Sequence, residues 1–197
     1  MPRIYTPGMA EMNRASQGKL MHHMALSLLR VCAKPGARSR GVLIAGRLAI
    51  PVMLGRSGIR ANKREGDGAT PRGQFHLRRL WWRADRCPKP PTLLPTVRID
   101  PLVAWCEDTS DRRYNRPFRR SANEPGDRLW RDDRLYDFII EISHNTRPRI
   151  AGRGSAVFLH VARPDRSPTA GCIALAPKDL RRLLTRLGPK TRILVHI

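Results

Sequence analysis

Between Phe158 and Leu175 the chain reads FLHVARPDRSPTAGCIAL, with His160 closing an apolar run and Cys172 following twelve positions later behind a glycine. A cysteine nucleophile needs a base that can take its proton at neutral pH. It also needs backbone N–H groups aimed at the oxygen that becomes negative in the transition state. TAGC fits the backbone condition in outline. The small residues Ala170 and Gly171 let a carbonyl come close to the backbone, and a tight turn there can direct the amides of Ala170, Gly171 and Cys172 at one spot. A short loop can fold His160 back onto Cys172, where the pair would favour thiolate and imidazolium. Spacing alone leaves two readings open, a reactive thiol or a small buried one.

The elements that must hold these residues are mostly strands. ALSLLRV and GVLIAGRLAIPVML are apolar-rich segments, and the Ala45-Gly46 step predicts a hairpin within the second. QFHLRRLWW, LYDFIIEIS, SAVFLHVA and RILVHI read as further strands. One helix is expected from Pro177, with Leu180, Leu183, Leu184 and Leu187 on one face and Gly188 as its stop. The predicted architecture is mainly β, a sandwich-like mixed sheet with one helix toward the C-terminal end. Residues 84–134 hold seven prolines from Pro88 to Pro125 with Trp105, Tyr114, Phe118 and Trp130 between charges, and predict a long irregular cap facing a substrate or lying as a surface excursion. Residues 1–24 are polar and without periodicity, and read as a disordered or artefactual extension before a domain over 25–197.

Composition narrows the function classes. The formal charge is +22, from 38 Lys and Arg against 16 Asp and Glu, which makes a polyanionic neighbour plausible. The arginines are scattered, however, with no basic run or recognition-helix pattern, which argues against nucleic acid as the partner. Cys32, Cys87, Cys106 and Cys172 form no C-x-x-C pair, so no metal site is expected. Cys87 and Cys106 flank the Pro-rich stretch, and their pairing in an oxidising compartment stays open. No apolar stretch is long enough to span a membrane, and none reads as a clear signal peptide. GRSGIRANKREGDG lacks the Gly-Lys-Ser/Thr ending of a phosphate loop.

Taken together, these residues resemble the L,D-transpeptidase catalytic domain, or YkuD domain. Its mark is a histidine closing a strand, a variable loop, then Ser/Thr-His-Gly-Cys, with a Thr-Pro-x-Gly-x-Phe strand upstream. His160 matches the first histidine, and Thr169, Gly171 and Cys172 match the nucleophile motif. GDGATPRGQFHL matches the upstream segment through Thr70, Pro71, Gly73 and Phe75. The resemblance spans roughly Leu26 to Ile197. It implies acyl transfer on peptidoglycan stem peptides through a Cys172 thioester, with His160 as base and acid. Gly171, Ala170 and Thr169 would support the oxyanion, and no cofactor is required.

The acceptor would be an amine, giving a 3→3 cross-link, an attached protein or an exchanged D-amino acid, or water, giving a hydrolase. Three departures stand out. Ala170 replaces the family's second histidine, Ala174 stands where Arg or Asn is usual, and the loop between His160 and Cys172 is short. Arg163 and Arg116 are candidates to bind stem-peptide carboxylates, and His144 is a candidate to stand in for the missing histidine. Anionic envelope polymers are further candidate partners. The resemblance places the protein in the periplasm or cell envelope, with the cytoplasm as the alternative. Two other readings compete: a wall-binding protein with weakened chemistry, and a basic nucleic-acid module whose tryptophans stack on bases.

Overall fold

The computed structural model describes residues 25–197; the N-terminal extension expected over 1–24 lies outside the described residues. Strands β1 (Leu28–Lys34), β2 (Ala37–Ala45) and β3 (Leu48–Met53) form an antiparallel meander. Gly46, at φ +64°, makes the predicted turn between β2 and β3. Short β4 (Ile59–Arg60) and β5 (Thr70–Pro71) pair in parallel. The long β6 (Gly73–Trp82) is bordered near its end by β7 (Thr96–Arg98).

After the cap come β11 (Phe138–Ile142), β12 (Phe158–Val161), β13 (Ile173–Leu175), α1 (Pro177–Leu184) and β14 (Arg192–His196). The sheet order is β11-β12-β13-β3-β2-β1-β14-β6-β7. Because β11 also pairs with β6, the sheet turns back on itself and its β11 edge is covered. The mixed β architecture with one helix among the described residues matches the expectation.

The main core lies between the sheet and α1, where Leu29, Val31, Leu43, Ile140, Leu159 and Ile173 meet Leu180, Leu183 and Leu184. Pro177 begins the helix, as its fixed φ and missing N–H favour. The helix ends earlier than its apolar pattern predicts, at Leu184 with Thr185 as C-cap. Leu187 is still buried, but its carbonyl accepts from Leu93 N and Thr92 Oγ1, a tertiary contact the pattern could not reveal. Pro189 also disfavours a helical Gly188.

Residues 84–134 are more ordered than expected of an irregular cap. They contain β7 and a small antiparallel sheet in which β8 (Val103–Trp105) is flanked by β9 (Pro117–Arg119) and β10 (Asp127–Arg128). Pro117 begins an edge strand, where a missing N–H does no harm. This sheet closes a second core in which Trp105 and Leu129 pack with Trp81, Tyr136, Ile139, Phe158 and Cys172. Arg83 anchors the cap, stacking 3.6 Å from the centre of the Trp130 ring and donating to Arg131 O at 2.6 Å. The four cysteines are unpaired thiols. Cys87 belongs to the helix-side core and donates to Arg83 O, whereas Cys106 lies in the cap beside β8, so the pairing left open is not made.

Candidate active site

Strand alternation assigns the site. Along β12, Leu159 and Val161 point into the helix-side core, so Phe158 and His160 face the cap. Along the segment entering β13, Ile173 and Leu175 face the helix, so Cys172 and Ala174 face the cap. The two strands are parallel neighbours with Leu159 opposite Ile173 and His160 opposite Ala174. One step back, Phe158 lies beside Cys172, and its N–H donates to Cys172 Sγ at 3.4 Å. His160, Cys172 and Ala174 thus line one cavity of about 310 Å³. The methyl of Ala174 leaves room beside the imidazole where a longer side chain would project.

The upstream motif holds the cysteine loop. Thr70, fully buried, accepts the Gly55 N–H on Oγ1 at 2.9 Å. Gly55 forms a parallel bridge with Thr169, reinforced by Thr169 N to Leu54 O and Arg56 N to Thr169 O, both 3.0 Å. Gly55 and Gly171 are glycines for close approach. A Cβ would meet Gly68 O at 2.3 Å in the first case and Ala69 O at 2.9 Å in the second, where φ is also +148°. The glycine-rich stretch is therefore a backbone scaffold. Lys63, 5% exposed, locks it by contacting Asp67 Oδ1 at 2.5 Å, while Asp67 also accepts the N–H groups of Arg64 and Ala69. Burial would raise the Asp67 pKa, but these donors outweigh it and the carboxyl is held below its ordinary value.

Cys172 and His160 are both buried, and burial favours the neutral form of each. Burial pushes the Cys172 thiol up to about 12, aided by the negative charges of Asp127 and Glu107. Burial takes His160 down to about 4. The expected thiolate and imidazolium pair is thus not the resting state, because two charges without water are costly. Cys172 Sγ donates to Ala156 O at 3.1 Å, and His160 is not among its hydrogen-bond partners. His160 Nδ1 lies 2.8 Å from Val161 O. A carbonyl can only accept, so Nδ1 carries the proton and Nε2 keeps its lone pair.

Other predicted residues divide between positions. Ala170 is exposed at the rim, and Arg163 lines the same cavity. Thr169 Oγ1 donates to Cys172 O at 2.6 Å and accepts from Gly171 N at 3.1 Å. The Gly171 amide is turned onto Thr169, which leaves the amides of Ala170 and Cys172 for the expected cradle. His144 does not replace the missing histidine. Its Nε2 meets Arg153 O at 2.8 Å, its ring packs on Phe75, and it lies outside the cavity. Arg116 lines a different cleft.

Sequence reasoning missed the cap side of the cavity: Glu107, Asp127, Arg131 and Tyr136. Tyr136 is buried, packs edge-on against His160 with centroids 5.4 Å apart, and donates to Asp127 Oδ2 at 2.8 Å. Glu107 is exposed as a residue, but desolvation of its carboxyl at the cavity wall, then the charges of Asp127 and Glu65, raise its pKa to about 7. No local motif signals these residues, since they come from the cap and the segment just after it, which approach β12 only on folding.

The family model of the L,D-transpeptidase catalytic domain matches residues 37–195, and the chain belongs to that family. No curated protein matches. Among solved structures, L,D-transpeptidase 1 of Mycobacterium tuberculosis is 15% identical, with 85% of this chain and 61% of that one covered and a TM-score of 0.37. An L,D-transpeptidase from M. tuberculosis H37Rv is 11% identical, with 86% and 57% covered and a TM-score of 0.40. The chain spans about three fifths of the length of each.

Proposed function

We propose that the protein is a cysteine-dependent acyl transferase of the cell envelope, acting on peptidoglycan stem peptides. The observation that carries this reading is the shared cavity of Cys172 Sγ and the His160 imidazole on neighbouring parallel strands, with Nδ1 tied to Val161 O so that Nε2 is the basic atom. The neutral resting pair favours general-base attack. As a stem-peptide carbonyl enters, the thiol turns from Ala156 O, gives its proton to His160 Nε2, and Sγ forms the C–S bond. The amides of Ala170 and Cys172 support the oxyanion. The C–N bond to the leaving D-amino acid breaks, and that amine takes the proton from His160. An incoming amine, deprotonated by His160, then attacks the thioester and returns the thiol.

The cavity offers groups of both signs, Arg131 and Arg163 against Glu107 and Asp127. That set suits a stem-peptide diamino acid, which carries a carboxylate and an amine on one residue. Envelope localisation follows from the substrate. The competing reading, a wall-binding protein with an inert structural thiol, draws on the burial of Cys172 and its bond to Ala156 O.

Intact-mass spectrometry after incubation with a carbapenem, an acylating stand-in for the donor, separates the two. One covalent adduct on the native protein, absent from Cys172→Ala, is expected. A folded native protein that stays unmodified would sink the transferase reading.

A further inference from the structure

A second cavity, of about 690 Å³, lies where the cap meets β6 and β11, and Arg78, Arg79, Arg116, Arg147 and Arg149 converge on it around Glu141. Glu141 is buried and sits 3.0 Å from Arg78 Nε and 3.0 Å from Arg79 Nε, so its charge is matched by those two. Arg116, Arg147 and Arg149 make no ion pair among the described residues. Arg149 Nε is buried without a hydrogen-bond partner. Desolvation first, then the charges of Arg116 and Arg78, lower the Arg149 pKa, as expected where cations are held together.

The loops that carry these arginines are fixed in place. Asn115 Nδ2 donates to His144 O at 3.1 Å and to Asn145 O at 2.8 Å, while its Oδ1 accepts Trp105 Nε1 at 2.9 Å. Asn145 Oδ1 in turn accepts Ile150 N at 2.9 Å. The repulsion is therefore built into the fold, and an anion in the cleft would relieve it.

We propose that this cleft binds a phosphate group carrying at least two negative charges, a phosphomonoester or a pyrophosphate. Three unpaired guanidinium groups offer more donors than one carboxylate has oxygens to accept, whereas a phosphate presents several oxygens in three dimensions. The phosphate can belong to a soluble compound or to a lipid headgroup at a membrane face. The inference stands apart from Cys172 chemistry, since Cys172 lies in the other cavity, and its test needs no acyl transfer.

Calorimetric titration of the full chain with inorganic pyrophosphate reads the site directly. Native protein is expected to bind saturably, and Arg116→Gln/Arg147→Gln, both exposed positions, to bind at least about tenfold more weakly. A control pair removing the same charge at exposed positions elsewhere, Arg30→Gln/Arg47→Gln, is expected to bind within about twofold of native. Flotation with phosphatidic acid in phosphatidylcholine vesicles separates the sources. Capture that pyrophosphate competes and the cleft variant loses assigns a lipid headgroup; pyrophosphate binding without capture assigns a soluble phosphate. No saturable binding by native protein, an equal loss in the control pair, or capture that the cleft variant retains would overturn the proposal.

Discussion

The two faces of the β12–β13 pair differ although they share one backbone. Toward α1, Leu159, Val161, Ile173 and Leu175 are apolar and buried, and they join the largest core of the domain. Toward the cap, Phe158, His160, Cys172 and Ala174 alternate with them, and there a hydroxyl, carboxylates and guanidinium groups enter the packing. Strand alternation gives one face to the main core and the other to the cap cavity, residue by residue. One face can carry a buried thiol and imidazole because the other holds the strands in register.

Replacing the imidazole should break the comparison most strongly. His160→Gln is expected to slow acylation of Cys172 by about 10²- to 10⁴-fold, read by mass spectrometry over time. It should also change acid stability. With its pKa lowered from about 6.5 unfolded to about 4 folded, His160 contributes stability that is fully present above pH 6.5 and is lost as pH falls toward 4. The loss is on the order of 3 kcal/mol. Denaturant melts of native protein between those pH values should show the slope, and the variant should lack this part of it.

On the opposite face, Leu159→Ala should destabilise the domain by about 3 kcal/mol through the cavity it leaves, while the folded fraction still acylates at near-native rate. A parallel fall in intrinsic acylation would show that the two faces are not separable. The smallest effect is expected of Tyr136→Phe, which keeps the ring against His160 but deletes the bond to Asp127. A stability loss of about 1 to 2 kcal/mol is expected, with acylation changed by less than about tenfold. A larger kinetic loss would make the hydroxyl a positioning group for the imidazole.

Much of the helix-side face was legible in the sequence. An apolar run marks β12, the Ala45-Gly46 step marks the β2–β3 turn, and Pro177 marks the start of α1. The His160 and Cys172 motif was legible as a family mark because its residues stand in two nearby segments. The cap was not, because its prolines and scattered aromatics have no period. Their order comes from Trp105 against Phe158, with ring centroids 5.0 Å apart, and from Arg83 on Trp130. Arg116 illustrates the same limit. Its type fits carboxylate binding, yet folding puts it beside Arg147 and Arg149, away from the thiol.

Residue order alone determined the family motif, the strand and helix types, and the charge excess of the chain. These depend on local periodicity, on turn chemistry and on composition, all of which act over a few residues or over none. Tertiary structure decided which amide turns onto Thr169, that Cys172 and His160 rest as a neutral pair, and how the arginines divide between two cavities. Those outcomes depend on burial and on distances between segments far apart in the chain, and burial sets the cost of charge.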